Sequence, residues 1–113
     1  MSELRRIDVA HELGSTPVLV GEQALEVAQL ELGPWWRDRT VFLVVSREVG
    51  RLHGEAVRQP IEAAAARVVT LKVPDGEGAK TVVEADRLWQ EMAYAGGKRD
   101  SRLVTLGGGS VGD

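Results

Sequence analysis

The residues of this 113-residue chain best suited to chemistry are glycines. Gly107, Gly108 and Gly109 follow the apolar run from Arg102 to Leu106 and lead through Ser110, Val111 and Gly112 to Asp113. A backbone without Cβ atoms can bend tightly and approach a pyrophosphate closely, with its N–H groups aimed at the anion. Asp113 could then accept hydrogen bonds from ribose hydroxyls. A tight strand-to-helix connection that binds nothing explains the triplet equally well. The pattern is neither GxGxxG nor the GxxxxGK[ST] phosphate loop.

A second group, Asp75, Gly76, Glu77, Gly78, Ala79 and Lys80, follows Pro74. Asp75 and Glu77 could hold ribose hydroxyls or cap a helix, and Lys80 could meet a phosphate. Taken alone, the segment reads as an Asp-Gly turn before a capped helix with an exposed lysine. The two groups together weigh more. Each closes a strand, one helix separates them, and both therefore face the crevice of a single βαβ unit.

The remaining chemistry-bearing residues form no site. His11 and His53 are far apart with no metal-ligand spacing. Trp35 and Trp36 suit packing at a domain edge, and Glu55, Arg58 and Glu62 suit a solvated helix face. No Ser-His-Asp set can be assembled, so no catalytic and no metal-binding residue is assigned.

The elements that must position the two turns follow from periodicity. Arg6 to Ala10 and Pro17 to Val20 read as a β-hairpin around Gly14, Ser15 and Thr16. Glu22 to Leu32 has helical spacing and is expected to end at Gly33-Pro34. Thr40 to Ser46 is a continuous apolar run that suits a central parallel strand. Arg51 to Ala66 reads as helix with a break or kink at Pro60, and Arg67 to Val73 as strand. Thr81 to Ala95 reads as helix, and Arg102 to Leu106 as the last strand. A hairpin followed by alternating β and α predicts an α/β layer with a mostly parallel sheet. Ligands in such sheets bind beyond the strands' carboxyl ends, here near Ser46, Asp75 and Gly107.

Composition narrows the function. The net charge of −3 argues against a nucleic-acid partner. No apolar run reaches the roughly 18 residues that span a bilayer, so no membrane partner is expected. The chain has no cysteine, which excludes disulfides and thiolate metal sites and favours a cytoplasmic protein. Glycine is 13 of 113 residues, above the usual level of about 7%, and is concentrated from Gly76 onward.

The segments VPDGEGAKT (73–81) and RLVTLGGGSVGD (102–113) resemble the 3-dehydroquinate synthase family, whose pattern runs P-[DS]-G-E-x-x-K-T, then a hydrophobic strand, then G-G-G-x-x-G-D. VFLVVSREVGRLHGE (41–55) is similar to that family's strand and following helix, so the resemblance extends from about Pro17 onward. The chain departs from the family at three points: Arg47 stands where an acid is common, one residue is missing before Val49, and Ser110 replaces a common valine. Gly-Gly-Gly-Ser is also typical of iron-dependent alcohol and polyol dehydrogenases, the alternative reading. Gly112 favours the cyclases.

The resemblance implies a Rossmann-like sheet with an N-terminal hairpin, the N-terminal domain of a dehydroquinate-synthase-like two-domain fold. Residues 1–113 would be its NAD-binding domain, cut at the glycine turn, with the metal-bearing catalytic domain absent. Asp75, Glu77 and Lys80, with Gly76, Gly78 and Ala79 in the same turn, would hold the ribose and adenine side. Gly108, Gly109 and Ser110, followed by Val111 and Gly112, would meet the pyrophosphate, and Asp113 would face the nicotinamide ribose. The implied cofactors are NAD and a divalent metal, zinc or cobalt, and the implied partners are a sugar-phosphate substrate and a second copy of the full-length protein. The implied activity is the shikimate-pathway lyase reaction that forms 3-dehydroquinate, with the 113 residues inactive on their own.

Overall fold

The computed structural model describes residues 4–108 and residue 111. The chain divides into two compact units, residues 1–34 and 35–113.

In the first unit, β1 (Arg5–His11) pairs antiparallel with β2 (Gly14–Val20), Arg5 opposite Val20 and His11 opposite Gly14. The turn is therefore Glu12-Leu13, and the expected turn residues Gly14, Ser15 and Thr16 belong to β2. The His11 ring closes it. Nε2 lies 2.9 Å from the Thr16 hydroxyl, and Nδ1 accepts from the Leu13 N–H at 3.2 Å. His11 is thus the last residue of β1, and its ring braces the turn.

Helix α1 spans Ala24–Trp36 and runs through Gly33-Pro34, where the sequence predicted its end. Its last residues, Trp35 and Trp36, belong to the second unit, and Trp36 is buried in that unit's core. Burying an indole is worth about 4–6 kcal/mol, more than the roughly 3 kcal/mol a helical proline costs. Tertiary burial thus overrides the local stop signal.

The second unit is built on a three-stranded parallel sheet in the order β4-β3-β5: β3 is Thr40–Ser46, β4 Arg67–Val73 and β5 Arg102–Leu106. The register sets Ser46 opposite Val73, and Val45 opposite Leu106. β3 is central, and its residues from Val41 to Ser46 are all buried. The alternation of side chains across a strand divides them. Val41, Leu43 and Val45 pack with Val57 and Ile61 of α2 (Arg47–Ala64). Phe42 and Val44 pack with Leu71 and Val73 and, on α3 (Val82–Tyr94), with Leu88 and Met92. The two helices therefore cover opposite faces of the sheet.

α2 begins at Arg47, four residues before the expected Arg51, because β3 passes straight into it with Ser46 at the N-cap position. It ends at Ala64 rather than Ala66 and runs through Pro60 without a break. Arg58 pairs with Glu55 at 2.7 Å and with Glu62 at 2.5 Å along its exposed face, as their spacing predicts. α3 is capped by Thr81, whose hydroxyl accepts from the Glu84 N–H at 3.1 Å. Among the described residues no helix is long and apolar enough to cross a membrane.

Candidate functional site at the strand ends

β3 and β5 are neighbours, yet the chain leaves them toward opposite faces. After β3 it enters α2, on the face of Leu43. After β5 it reaches Val111, which packs on the face of Phe42 and Val44. Two adjacent parallel strands whose connections diverge open a crevice between their carboxyl ends, the usual ligand position in such sheets.

The floor of this crevice is Ser46. The residue is 3% exposed, and its hydroxyl has no hydrogen-bond partner among the described residues. A buried hydroxyl without a partner is uncommon in a folded protein. Gly107 stands beside it: a Cβ on Gly107 would lie 3.2 Å from Ser46 Oγ and 2.6 Å from Val111 Cγ2. The Val111 N–H donates to the Gly108 carbonyl at 3.2 Å, which turns the backbone sharply after β5. A Cβ on Gly108 would meet nothing within 4 Å among the described residues, so this glycine is open on their side. Gly109, Ser110, Gly112 and Asp113 lie outside the described residues.

The turn after β4 lies on the other side of β3. Gly76–Ala79 forms one turn of 3-10 helix, and the Lys80 N–H donates to the Glu77 carbonyl at 3.0 Å. Asp75, Gly76, Glu77 and Lys80 are exposed. Gly78 and Ala79 lie in the backbone of this turn. Asp75 does cap a helix, but not its own. Asp75 Oδ1 accepts from the Glu48 N–H at 3.0 Å, across 27 residues of sequence, and so satisfies an amide in the first turn of α2. Glu48 in turn receives Arg51 at 2.6 Å, and this hydrogen bond raises the Arg51 pKa above its ordinary value.

The structure thus gathers Asp75, Ser46, Gly107 and Gly108 along one edge of the sheet. Sequence reasoning singled out the glycines and Asp75 but gave no role to Glu48 or to the Ser46 side chain. Ser46 stood at a predicted strand end, the one signal pointing to it. What a ligand could find here is a buried hydroxyl, a glycine turn open on one side and a capped helix start. Among the described residues no group of three or more His, Cys, Asp or Glu could hold a metal ion.

The family model described as 3-dehydroquinate synthase N-terminal matches residues 70–113, which include both turns. The 3-dehydroquinate synthase of Leuconostoc citreum is 38% identical over 78 residues, covering 69% of this chain and 22% of the relative. That of Pelotomaculum thermopropionicum is 35% identical over 99 residues, covering 88% of this chain and 27% of the relative. The chain therefore spans about a quarter of the length of these curated relatives. A crystal structure of 2-deoxy-scyllo-inosose synthase complexed with carbaglucose-6-phosphate, NAD+ and Co2+ superposes with a TM-score of 0.73 at 20% identity, over 97% of this chain and 29% of the other. At that identity the likeness establishes the fold: an α/β unit with a parallel sheet and an N-terminal hairpin. These relatives are cyclases and do not favour the alcohol dehydrogenase alternative. With both turns inside the matched stretch, the chain belongs to the 3-dehydroquinate synthase family of sugar-phosphate cyclases.

Proposed function

We propose that residues 1–113 form the NAD-binding N-terminal domain of a 3-dehydroquinate synthase, which converts 3-deoxy-arabino-heptulosonate 7-phosphate to 3-dehydroquinate and phosphate. The observation that carries this reading is the crevice between β3 and β5, where Ser46 keeps a buried hydroxyl that has no partner among the described residues, beside a glycine turn. NAD fits such a site. The hydroxyl needs a polar partner, and the open side of Gly108 leaves room for a bulky group against the backbone. On this reading Gly108, Gly109 and Ser110, with Val111 and Gly112, border the pyrophosphate, and Asp113 the nicotinamide ribose. Residues 75–80 border the ribose and adenine side, with Lys80 supplying a positive charge.

Bound NAD supplies a transient oxidation of a ring hydroxyl, so that the cofactor is unchanged after each turnover. The chain's own part is to bind and orient it. The described residues offer no metal ligand set, and no step is assigned to a metal on them. In this reading zinc or cobalt, and the substrate's catalytic groups, fall to the stretch of a full-length relative that this chain does not span. The 113 residues alone are then inactive, and the full-length protein is a cytoplasmic homodimer.

The test is a turnover assay on the full-length protein with the heptulosonate phosphate and NAD. Phosphate release with total NAD constant is expected. No phosphate release, or NADH accumulating with an alcohol substrate, would overturn the reading.

A further inference from the structure

We infer that Asp75 is a positioning residue of the nucleotide site: its carboxylate fixes the start of α2 at the crevice and does not itself hold the ribose. The inference rests on the NAD-binding reading above.

A helix leaves its first amides without intrahelical partners. Ser46 occupies the N-cap position of α2, yet its side chain makes no capping bond. Its hydroxyl is buried beside Gly107 instead. The acceptor that α2 needs comes from Asp75, at 3.0 Å from the Glu48 amide. A carboxylate at a helix N-terminus forms a charge-assisted hydrogen bond and also meets the positive end of the helix dipole.

Three consequences follow. The bond ties the exit of β4 to the exit of β3, so the wall of the crevice is held from outside α2. Ser46, relieved of capping, keeps its hydroxyl for the crevice. The amide end of α2 already faces an anion of the protein, so the cofactor's pyrophosphate is left to the glycine turn after β5. Contact with the nucleotide from the β4 turn then falls to Glu77 and Lys80.

The test uses the full-length protein, with NAD affinity measured by calorimetric titration and folding by thermal melting. Asp75→Asn keeps an acceptor oxygen, since asparagine caps helices about as well as aspartate. Asp75→Ala removes it. Alanine is expected to weaken NAD binding about tenfold or more, and asparagine to stay within about threefold of the parent. Titrations are repeated with NAD analogues lacking the 2′ or the 3′ hydroxyl of the adenosine ribose. A positioning residue predicts the same loss on Asp75→Ala for every ligand. A direct ribose contact predicts that the loss vanishes with one analogue, and that result would overturn the inference. So would parental affinity in the alanine variant, or an asparagine variant that binds as poorly as alanine. Should the alanine variant not fold, the asparagine variant decides alone: parental affinity supports the positioning role, and a tenfold loss overturns it. A parent protein that binds no NAD at all fails the underlying reading instead, which the same titration shows first.

Discussion

Gly76, in the turn that leaves β4, has a φ of +67°, and a Cβ built on it would meet nothing within 4 Å among the described residues. Gly107, in the turn that leaves β5, keeps its φ out of the left-handed region, but its Cβ would stand 2.6 Å from Val111 Cγ2. The two turns lie at the same edge of one sheet and use the same residue type for different physical reasons. At Gly76 the backbone needs a conformation that L side chains avoid. At Gly107 the neighbours leave no volume for one. The first turn is open and reaches outward, and Asp75 beside it spans to another helix. The second is packed on one side and, among the described residues, open on the other.

The comparison is broken most easily at Gly107. Gly107→Ala is expected to destabilise the protein by about 1–3 kcal/mol, the usual cost of overpacking a filled site. Val111 and Ser46 would both have to shift. Urea unfolding checks this, and an unchanged midpoint would show that the turn after β5 is looser than its geometry. Pairing Gly107→Ala with Val111→Ala sharpens the point. If the clash with Val111 is the cause, the double variant loses less than the sum of the singles, because neighbours that share a contact are not additive.

At Gly76 the expected effect is smaller and of another kind. Gly76→Ala should cost about 1–2 kcal/mol through the left-handed backbone, with no steric conflict to relieve. Gly76→Asn should cost clearly less than alanine despite its larger side chain, since asparagine tolerates that region. The order reverses if space is what matters. Equal losses, or a larger loss for asparagine, in the same urea titrations would mean that the two turns do not differ in the way described.

This contrast also marks what the sequence could and could not reveal. β3, β4 and β5 were legible to the residue, because continuous β-branched runs between turn residues have few alternatives to a buried parallel strand. The two strand-end turns were legible as glycine clusters. The start of α2 was not: its N-cap, Ser46, is also the last residue of a strand, so no turn residue announces it. The end of α1 was hidden by a true local stop signal, Gly33-Pro34, overruled by the burial of Trp36. The Asp75 to Glu48 bond joins two exposed groups in different elements, and no local pattern encodes such a pairing. That the Ser46 hydroxyl finds no partner among the described residues depends on what surrounds it, which periodicity does not report.

The smallest expected effect on stability falls at Gly108, and it bears most directly on function. Its φ lies outside the left-handed region, and an added methyl would touch no atom of the described residues within 4 Å. Gly108→Ala should therefore leave the unfolding midpoint close to the parent, within about 0.5 kcal/mol, as for a surface change away from any special feature. Yet the same methyl would project into the open side of the turn, where the NAD-binding reading puts the pyrophosphate against the backbone. Affinity for NAD in the full-length protein is then expected to fall about tenfold or more, since the cofactor would have to stand off from its amide donors. Gly107→Ala would lose binding too, but alongside stability, so it cannot separate folding from recognition. Gly108→Ala can. If calorimetric titration finds NAD bound as tightly by this variant as by the parent, the open side of Gly108 faces solvent and not a ligand. The turn after β5 would then be a structural connection throughout, with both of its described glycines serving the fold.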